Sequence, residues 1–394
     1  MLLTALLFLL ILSALVLIHE AGHYFVAKKL GIKVEEFGFG FPLTPALFSF
    51  KRGETRYSFY PLLIGGFVKL YGEDDAGGGK ITPNKSETSG HVKDQHRAFF
   101  ARPAWQRVAV IVAGVFMNLV LAAFVYYIFL GISHFRTELP LIGNHTFFLV
   151  NQSIKTDVLI SEIAKNSPAE QAGITPFSKV VSLNGQKLVG VDTFAAIIKE
   201  NKGKELIIEW QDLKTQKLGS AVVTPRVNPP KGEGSLGVAF FPAKTVVLDY
   251  NTPVQKALSG FMHPINLMAY NLDVLSTLVN VSVKEKTIKP VSDNLSGPVG
   301  IYSIVGTIID IPTFRERFLQ ILNLTGLLSI SLAFFNVLPI PGLDGGRLFF
   351  ILLEVVTRRK MNPKVEGYMH NIGILLLLGL LLLITIKDVG KLFK

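Results

Sequence analysis

Cysteine is absent from this sequence. Its absence excludes disulfide bonds and thiolate-ligated zinc sites, so any bound metal must be held by histidine, aspartate or glutamate. Residues 1–18 also lack two marks of a cleavable secretory signal, a basic start and an Ala-x-Ala-like cleavage site, and their apolar run continues to Lys28. We therefore expect this segment to be retained as a membrane span.

Apolar side chains, by contrast, are abundant. They make up 49% of the 394 residues, and the mean hydropathy of +0.42 is too high for an ordinary soluble protein. The formal net charge is +11, but the lysines and arginines cluster beside apolar runs, where such residues set membrane orientation and contact anionic lipid. The composition therefore indicates an integral membrane protein in contact with the lipid bilayer, and it disfavours a nucleic acid partner.

An H-E-x-x-H motif lies inside the first apolar run, with His19, Glu20 and His23 as its polar members. On a helix, the spacing of four residues puts both histidines on one face, where two neutral imidazoles can bind one zinc ion. Zinc lowers the pKa of bound water toward about 7, and a neighbouring carboxylate such as Glu20 can relay the released proton to a leaving amine. The motif therefore predicts zinc-dependent peptide hydrolysis. The alternative is a membrane helix with satisfied polar side chains.

Zinc held by two histidines needs a third protein ligand and an open position for water. Asp344 follows Pro339, Pro341 and Gly342, which break the third apolar run, and it stands where a new helix should begin. An isolated acid at a helix break in the membrane is the best candidate for the third ligand. The alternative role for Asp344 is a helix N-cap.

Hydropathy and charge divide the chain into seven segments. They are a first transmembrane helix with the H-E-x-x-H motif (1–30), a basic region with a re-entrant β-loop (31–103), a second transmembrane helix (104–132), a soluble domain (133–245), a surface helix (246–314), a third transmembrane helix with a Leu-Asp-Gly motif (315–360), and a fourth transmembrane helix with a tail (361–394). By the positive-inside rule, the basic region is cytoplasmic. Four spans then put His19 and Asp344 near the same face, whereas a fifth crossing at 252–288 would separate them.

The basic region contains an apolar β pattern. Glu36–Phe50 and Thr55–Leu70 alternate apolar and aromatic residues on either side of a turn, which predicts a β-hairpin. Phe37–Phe41 and Gly65–Phe67 are unusually apolar for a cytoplasmic loop, so we expect a re-entrant sheet beside the active site, whose edge can bind substrate as an added strand. The alternative is a small solvated hairpin. Residues 72–97 are predicted to form a flexible loop.

Residues 137–245 have the ordinary polarity and turn signals of a soluble domain, on the side of the membrane opposite the basic region. Val158–Ile163, Ser167–Ile174 and Lys179–Gly185 resemble the middle of a PDZ domain, with Thr193–Lys199 as its second helix. A PDZ groove binds peptides by strand addition. The alternative is a steric gate or spacer.

The combined motifs resemble the site-2 protease family of intramembrane zinc metalloproteases, over nearly the whole chain. They are His-Glu-Ala-Gly-His in the first span, Gly-x-x-x-Asn in the second, an inserted PDZ domain, and Asn-x-x-Pro-x-Pro-x-Leu-Asp-Gly-Gly at 336–346. The chain is similar in particular to the bacterial regulator-of-sigma-E protease branch, although many members have two PDZ domains and this chain has room for one. The resemblance implies a multi-span α-helical protein of the bacterial cytoplasmic (inner) membrane, with four transmembrane helices, a membrane-associated β-hairpin and an inserted extracytoplasmic α+β PDZ domain.

The resemblance also implies roles for particular residues. One Zn²⁺ per chain would be held by His19, His23 and Asp344, with Glu20 as the general base. The amides of Asn336 and Asn118 would position the substrate or stabilise the oxyanion. Four glycines would bind the substrate strand, namely Gly38, Gly40, Gly65 and Gly66.

The family cleaves transmembrane segments of single-span proteins, such as anti-sigma factors and remnant signal peptides, after an upstream site-1-type protease has cut them. The alternative from another class is a catalytically inert membrane adaptor that presents its PDZ groove to peptides. Glu20 argues against it, because an adaptor needs no base. A metal transporter is a third interpretation, but the sequence shows no repeat symmetry.

Overall fold

A computed structural model describes residues 1–73, 95–187, 190–213, 217–359 and 363–392. The chain divides into two compact units, the first made of Met1–His134 with Lys256–Lys394 and the second of Phe135–Gln255. Most of the flexible loop predicted at residues 72–97 lies outside the described residues.

The helices are numbered in chain order. They are α1 (Leu2–Lys29), α2 (Ala104–Ile132), α3 (Pro168–Gln171), α4 (Val191–Glu200), α5 (Pro253–Glu285), α6 (Lys289–Asn294), α7 (Pro298–Ile309), α8 (Phe314–Val337), α9 (Asp344–Thr357) and α10 (Pro363–Leu392). Within the described ranges, four of them are long and apolar enough to cross a membrane, namely α1, α2, α8 and α10. This finding confirms a membrane protein with four candidate spans.

Glycines bring the membrane helices of the first unit close together. A Cβ on Gly22 of α1 would lie 2.3 Å from the Ala113 carbonyl oxygen of α2, and a Cβ on Gly326 of α8 would lie 2.6 Å from the Tyr126 ring of α2. Small residues permit such close approach because nothing separates the backbone from its neighbour. As a result, α2 packs against both α1 and α8.

The predicted surface helix at 252–288 is the single helix α5, which is not among the candidate spans found in the described residues. Its Gly260 packs against α2, where an added Cβ would lie 2.6 Å from the Ala123 carbonyl oxygen. His263, one turn further along α5, is buried, with its ring centroid 4.9 Å from that of Tyr126. One face of α5 is therefore anchored on α2.

The third predicted transmembrane segment, 315–360, is two helices. Helix α8 ends at Val337, and α9 begins at Asp344 after the predicted break at the two prolines. The residue preceding α9 in the N-cap position is Leu343, and no side chain caps this helix end. The N-cap role considered for Asp344 is therefore wrong.

The β region of the first unit is a four-stranded sheet rather than one long hairpin. Its strands are β1 (Val34–Phe41), β2 (Phe48–Arg52), β3 (Thr55–Phe59) and β4 (Leu62–Leu70), in the order β2-β3-β1-β4. Only β2 and β3 form a hairpin, whereas β1 pairs in parallel with β3 and antiparallel with β4. Pro42, Pro45 and Pro61 stand in the connections, where proline ends strand pairing. The two predicted strands are thus divided into four.

Charged side chains attach this sheet to the end of α1. The turn residue Glu54 accepts hydrogen bonds from Arg97 at 2.9 Å and from Lys28 at 3.0 Å. These bonds, with Arg97 contributing most, hold the pKa of the Glu54 carboxyl below its usual range. The sheet is therefore held beside the helix that carries the H-E-x-x-H motif.

The second unit is built on an antiparallel sheet of seven strands. They are β5 (Arg136–Pro140), β6 (Asn151–Ile163), β7 (Ser178–Leu183), β8 (Gln186–Lys187), β9 (Leu206–Asp212), β10 (Leu218–Val223) and β11 (Val238–Asp249), in the order β10-β9-β7-β6-β11-β5 with β8 beside β7. The core packs Ile160, Val180 and Ile208 against Phe194 of α4. The strands and helices predicted between Val158 and Lys199 are therefore present.

Candidate metal centre

Two histidines of α1 and an aspartate of α9 meet inside the first unit. The Nε2 atoms of His19 and His23 are 3.2 Å apart. Asp344 Oδ2 lies 3.0 Å from His19 Nε2 and 3.3 Å from His23 Nε2. All three side chains are largely buried, with exposed fractions of 7%, 12% and 18% in that order. The fold therefore brings together the three residues predicted to be ligands, although 325 positions separate the first from the last.

The donor atoms fit a zinc ion. In a tetrahedral site with zinc bonds of about 2.0–2.1 Å, neighbouring ligand atoms are about 3.3 Å apart. The measured separations of 3.0 to 3.3 Å agree with this spacing. Two imidazoles and one carboxylate also match the donor set of catalytic zinc sites, which leave a fourth position open. In the part of the chain that the structure describes, this is the one group of three or more such side chains with converging donor atoms.

Contacts behind the histidines orient their rings. His23 Nδ1 lies 2.8 Å from the carbonyl oxygen of Val110 on α2, to which its N–H donates. This bond leaves the lone pair of His23 on Nε2, the atom that faces Asp344. Behind His19, the Asn118 amide lies 3.2 Å from Nδ1. Both histidines are therefore supported by α2.

Gly114 of α2 makes room for the imidazoles. A Cβ at this position would lie 2.4 Å from His23 Nε2 and 2.8 Å from His19 Cε1. In the sequence, Gly114 is the glycine of the Gly-x-x-x-Asn motif in the second span. The structure shows that the space is occupied by the rings of the two histidines.

Of the two predicted amides, only Asn336 faces the donor atoms. Its Nδ2 lies 3.4 Å from His19 Nε2, at the end of α8. Asn118 contacts the opposite ring nitrogen of His19 and has no exposed surface. The two amides therefore have different environments, which the sequence did not distinguish.

The connection between α8 and α9 is held by α10. The N–H of Gly342 donates to His370 Nδ1 at 3.2 Å, and the backbone of Gly342 has a φ of +100°, which favours glycine. A Cβ on Gly373 would lie 2.0 Å from the Pro341 carbonyl oxygen. His370 and Gly373 thus support the loop that presents Asp344. Sequence reasoning missed both residues, because neither belongs to a recognisable motif.

Glu20 and the donor atoms face a polar cavity. The cavity has a volume of about 150 Å³ and is lined by Glu20, His23 and Asp344 among others, so it has room for several water molecules. Arg347 and Glu73, which form an ion pair, also line it. Sequence reasoning missed this pair as well, since nothing local relates the two residues. A carboxylate, three converging donor atoms and space for water therefore occur together.

The four predicted substrate-binding glycines divide between an inner and an edge strand. Gly38 and Gly40 lie on β1, which is paired on both sides and cannot accept another strand. Gly38 instead makes room for the Phe67 ring, 2.2 Å from its ideal Cβ position. Gly65 and Gly66 lie on the edge strand β4, and an added Cβ on Gly66 would lie 3.9 Å from Glu20 Cγ. Within the part of the chain that the structure describes, β1 therefore has no free edge for an added strand and β4 is the edge strand beside Glu20, while substrate binding by the four glycines stays a prediction.

The chain belongs to peptidase family M50, the site-2 protease family, whose family profile matches residues 7–380. The resemblance seen in the sequence motifs is thereby confirmed, and the protein is a peptidase of this family.

Relatives match along almost the whole chain. A Clostridium perfringens protein, named as a candidate zinc metalloprotease, is 32% identical over 384 residues, covering 97% of each chain. The regulator of sigma-W protease RasP of Bacillus subtilis is 27% identical over 458 residues, and the zinc metalloprotease RasP of Bacillus licheniformis is 28% identical over 460 residues; each match covers 99% of both chains.

Proposed function

We propose that this peptidase holds one zinc ion with His19, His23 and Asp344 and cleaves transmembrane segments of single-span proteins, with Glu20 as the general base. The observation that carries the proposal is the convergence of three donor atoms, separated by 3.0 to 3.3 Å, within a membrane helix bundle and beside a cavity that contains Glu20. The names of the relatives, which describe zinc metalloproteases, support the choice of metal.

The residues divide the chemical work. Zinc, when bound, supplies a Lewis acid that activates water and polarises the scissile carbonyl. The Glu20 carboxylate accepts a proton from the attacking water and returns it to the nitrogen of the leaving amine. Asn336, whose amide nitrogen faces the donor atoms, positions the substrate by donating to its carbonyl oxygen as negative charge develops there.

The edge strand β4 is proposed to hold the unwound substrate. Peptide bonds in a transmembrane helix are protected from water, so the substrate must leave the helical conformation before hydrolysis. An extended segment can pair with a free strand edge, and β4 offers such an edge next to Glu20. Amide hydrogen exchange of Glu20→Gln bound to an uncleaved substrate should show new protection in β4. Unchanged exchange in β4 together with tight substrate binding would exclude strand addition there.

The predicted topology completes the proposal. Basic residues in the 31–103 region and after Asp344 support an active site toward the cytoplasmic side of the bacterial inner membrane, with the second unit outside the cytoplasm. The relative named regulator of sigma-W protease supports anti-sigma factors as substrates. We propose that an upstream site-1-type protease cuts these substrates first.

A cavity in the second unit supports peptide binding by this proposed PDZ domain. It has a volume of about 250 Å³ and lies between α4 and the start of β11, where Ile198, Leu236 and Phe240 provide apolar walls and Lys199 and Lys202 provide positive charge. Such a cavity suits an apolar residue that carries a terminal carboxylate. This observation favours peptide capture over a purely steric gate.

Peptide capture can be tested with the separate second unit and a fluorescent peptide ending in a free apolar residue. Fluorescence anisotropy should show binding that weakens when the peptide is amidated and in Lys202→Glu. Lys204→Glu, outside the cavity, serves as the matched control. Equal binding of the free and amidated peptides would exclude carboxylate recognition.

The main experiment compares the wild type with Glu20→Gln in detergent, using a model transmembrane substrate truncated on its outer side. Both proteins should contain similar amounts of zinc, and only the wild type should cleave the substrate. Equal cleavage by both would exclude Glu20 as the base. A zinc-loaded wild type that cleaves no such substrate, combined with peptide binding by the second unit, would favour the membrane adaptor.

A further inference from the structure

Asn118 presents a buried amide oxygen that has no hydrogen-bond partner among the described residues. The residue lies on α2 with no exposed surface. Its Nδ2 is 3.2 Å from His19 Nδ1, whereas its Oδ1 is buried and makes no hydrogen bond with the described residues. An unsatisfied buried polar atom costs about 1–3 kcal/mol. The oxygen therefore calls for a physical explanation.

The explanation lies in the two nitrogens of His19. The Asn118 amide lies 3.2 Å from Nδ1, and Nε2 lies 3.0 Å from Asp344 Oδ2. A histidine that ligates a metal through Nε2 carries its proton on Nδ1, and this proton needs an acceptor. An asparagine amide can present its oxygen to a neighbouring N–H, so Asn118 is placed to be that acceptor.

The comparison with His23 supports this interpretation. His23 already has an acceptor for its Nδ1 proton, the Val110 carbonyl oxygen at 2.8 Å. Asn118 lies on the same helix, α2, and contacts the Nδ1 atom of His19 as the Val110 carbonyl contacts that of His23. In each histidine, Nε2 would then face the metal while the Nδ1 proton is donated to an oxygen atom of α2. Acceptors of this kind hold the ring orientation and raise the basicity of the ligating nitrogen.

We propose that Asn118 is a positioning residue for His19, and that its amide oxygen accepts the Nδ1 proton when Nε2 ligates the metal. This role rests on the proposed zinc site, and it differs from the substrate-positioning or oxyanion role expected from the sequence. An oxyanion donor must reach the substrate. Asn118 is fully buried behind the ring, on the side away from the donor atoms.

The test uses full-length protein in detergent and measures the zinc Kd by competition with a chelator. Asn118→Ala should raise the zinc Kd by about 10–100-fold, the usual effect of removing an outer acceptor. Asn118→Asp supplies only acceptor oxygens, so it should keep the zinc Kd within a few-fold of wild type and should retain cleavage. An oxyanion donor predicts the opposite pattern, because aspartate cannot donate and cleavage would be lost at an unchanged zinc Kd.

Asn266→Ala is the matched control, since it removes a buried amide from α5, a helix that supplies none of the predicted ligands. It should leave the zinc Kd unchanged. Thermal unfolding shows which variants are folded, and Asn118→Asp decides between the two roles even if Asn118→Ala fails to fold. Normal zinc binding by the wild type with equal Kd in all variants would overturn the role of Asn118 alone. A wild type that takes up no zinc would overturn the metal site and this role with it.

Discussion

At the scale of single residues, the site depends on the absence of a Cβ atom at Gly114. Gly114 leaves the space that the rings of His19 and His23 occupy, because an added Cβ would lie 2.4 Å from His23 Nε2. A contact this short forces the ring to move, and the separation of about 3.3 Å that zinc ligands need is then lost.

Gly114→Ala should therefore reduce bound zinc and cleavage at least tenfold, as measured by metal analysis and substrate cleavage. Gly131→Ala is the control on the same helix, because a Cβ there meets no atom within 4 Å. It should bind zinc like the wild type. Full zinc content in Gly114→Ala would show that the rings can adjust, and would contradict the prediction.

Asp344 offers a second residue-scale test, because serine can replace an N-cap but is a poor zinc ligand. The structure places Leu343 at the N-cap position and Asp344 against both histidines. Asp344→Ser should therefore lose most of its zinc while its thermal unfolding without metal changes little. Retained zinc combined with retained cleavage would exclude Asp344 as the third ligand.

At the scale of elements, helix α10 supports the candidate site although none of the predicted ligands lies on it. Its His370 accepts a hydrogen bond from Gly342, and its Gly373 leaves room for the Pro341 carbonyl oxygen, which an added Cβ would meet. The loop between α8 and α9 therefore rests on α10, and the position of Asp344 depends on this contact.

Gly373→Ala should displace the loop, because the new Cβ would lie 2.0 Å from the Pro341 oxygen. We expect weaker zinc binding, measured as a higher Kd, with the helix itself intact. Gly379→Ala, two turns further along α10, has no atom within 4 Å of the added Cβ. It should behave like the wild type, and equal zinc Kd values for both variants would show that the loop position does not affect Asp344.

At the scale of the whole molecule, the proposed chemistry belongs to one unit and the proposed peptide capture to the other. All three predicted ligands and Glu20 lie in the first unit, whereas the second unit has its own core. The chain enters and leaves the second unit at adjacent points, since the Tyr250 N–H donates to the Phe135 carbonyl oxygen at 2.9 Å. The second unit can therefore be removed without stretching the remaining chain.

A protein in which residues 136–249 are replaced by a short Gly-Ser linker should still fold in detergent and bind one zinc ion. The separate unit Phe135–Gln255 should unfold cooperatively, as measured by circular dichroism in denaturant, because it buries a core of its own. The shortened protein, which lacks residues 136–249, is also made with Glu20→Gln as the control for cleavage. Loss of zinc on excision would contradict the independence of the two units.

Much of the site was predictable because its chemistry is local. The spacing of His19 and His23 defines a helix face, and Glu20 lies beside it. Asp344 was predicted from the prolines before it and from the number of spans, since only an even number of crossings between the motifs brings them to one side. The order of strands and helices in the second unit also followed from local periodicity.

The sequence by itself determined the residue types of the proposed metal donors, the four candidate spans and the peptidase class, because residue types, spacing and hydropathy are properties of short stretches. Only the tertiary structure decided the sheet order with its parallel β1–β3 pair, the burial of Asn118 behind His19, and the support of the Asp344 loop by His370 and Gly373. These features are contacts between distant segments. They depend on how helices and strands pack, and packing leaves no periodic pattern in the segments that take part in it.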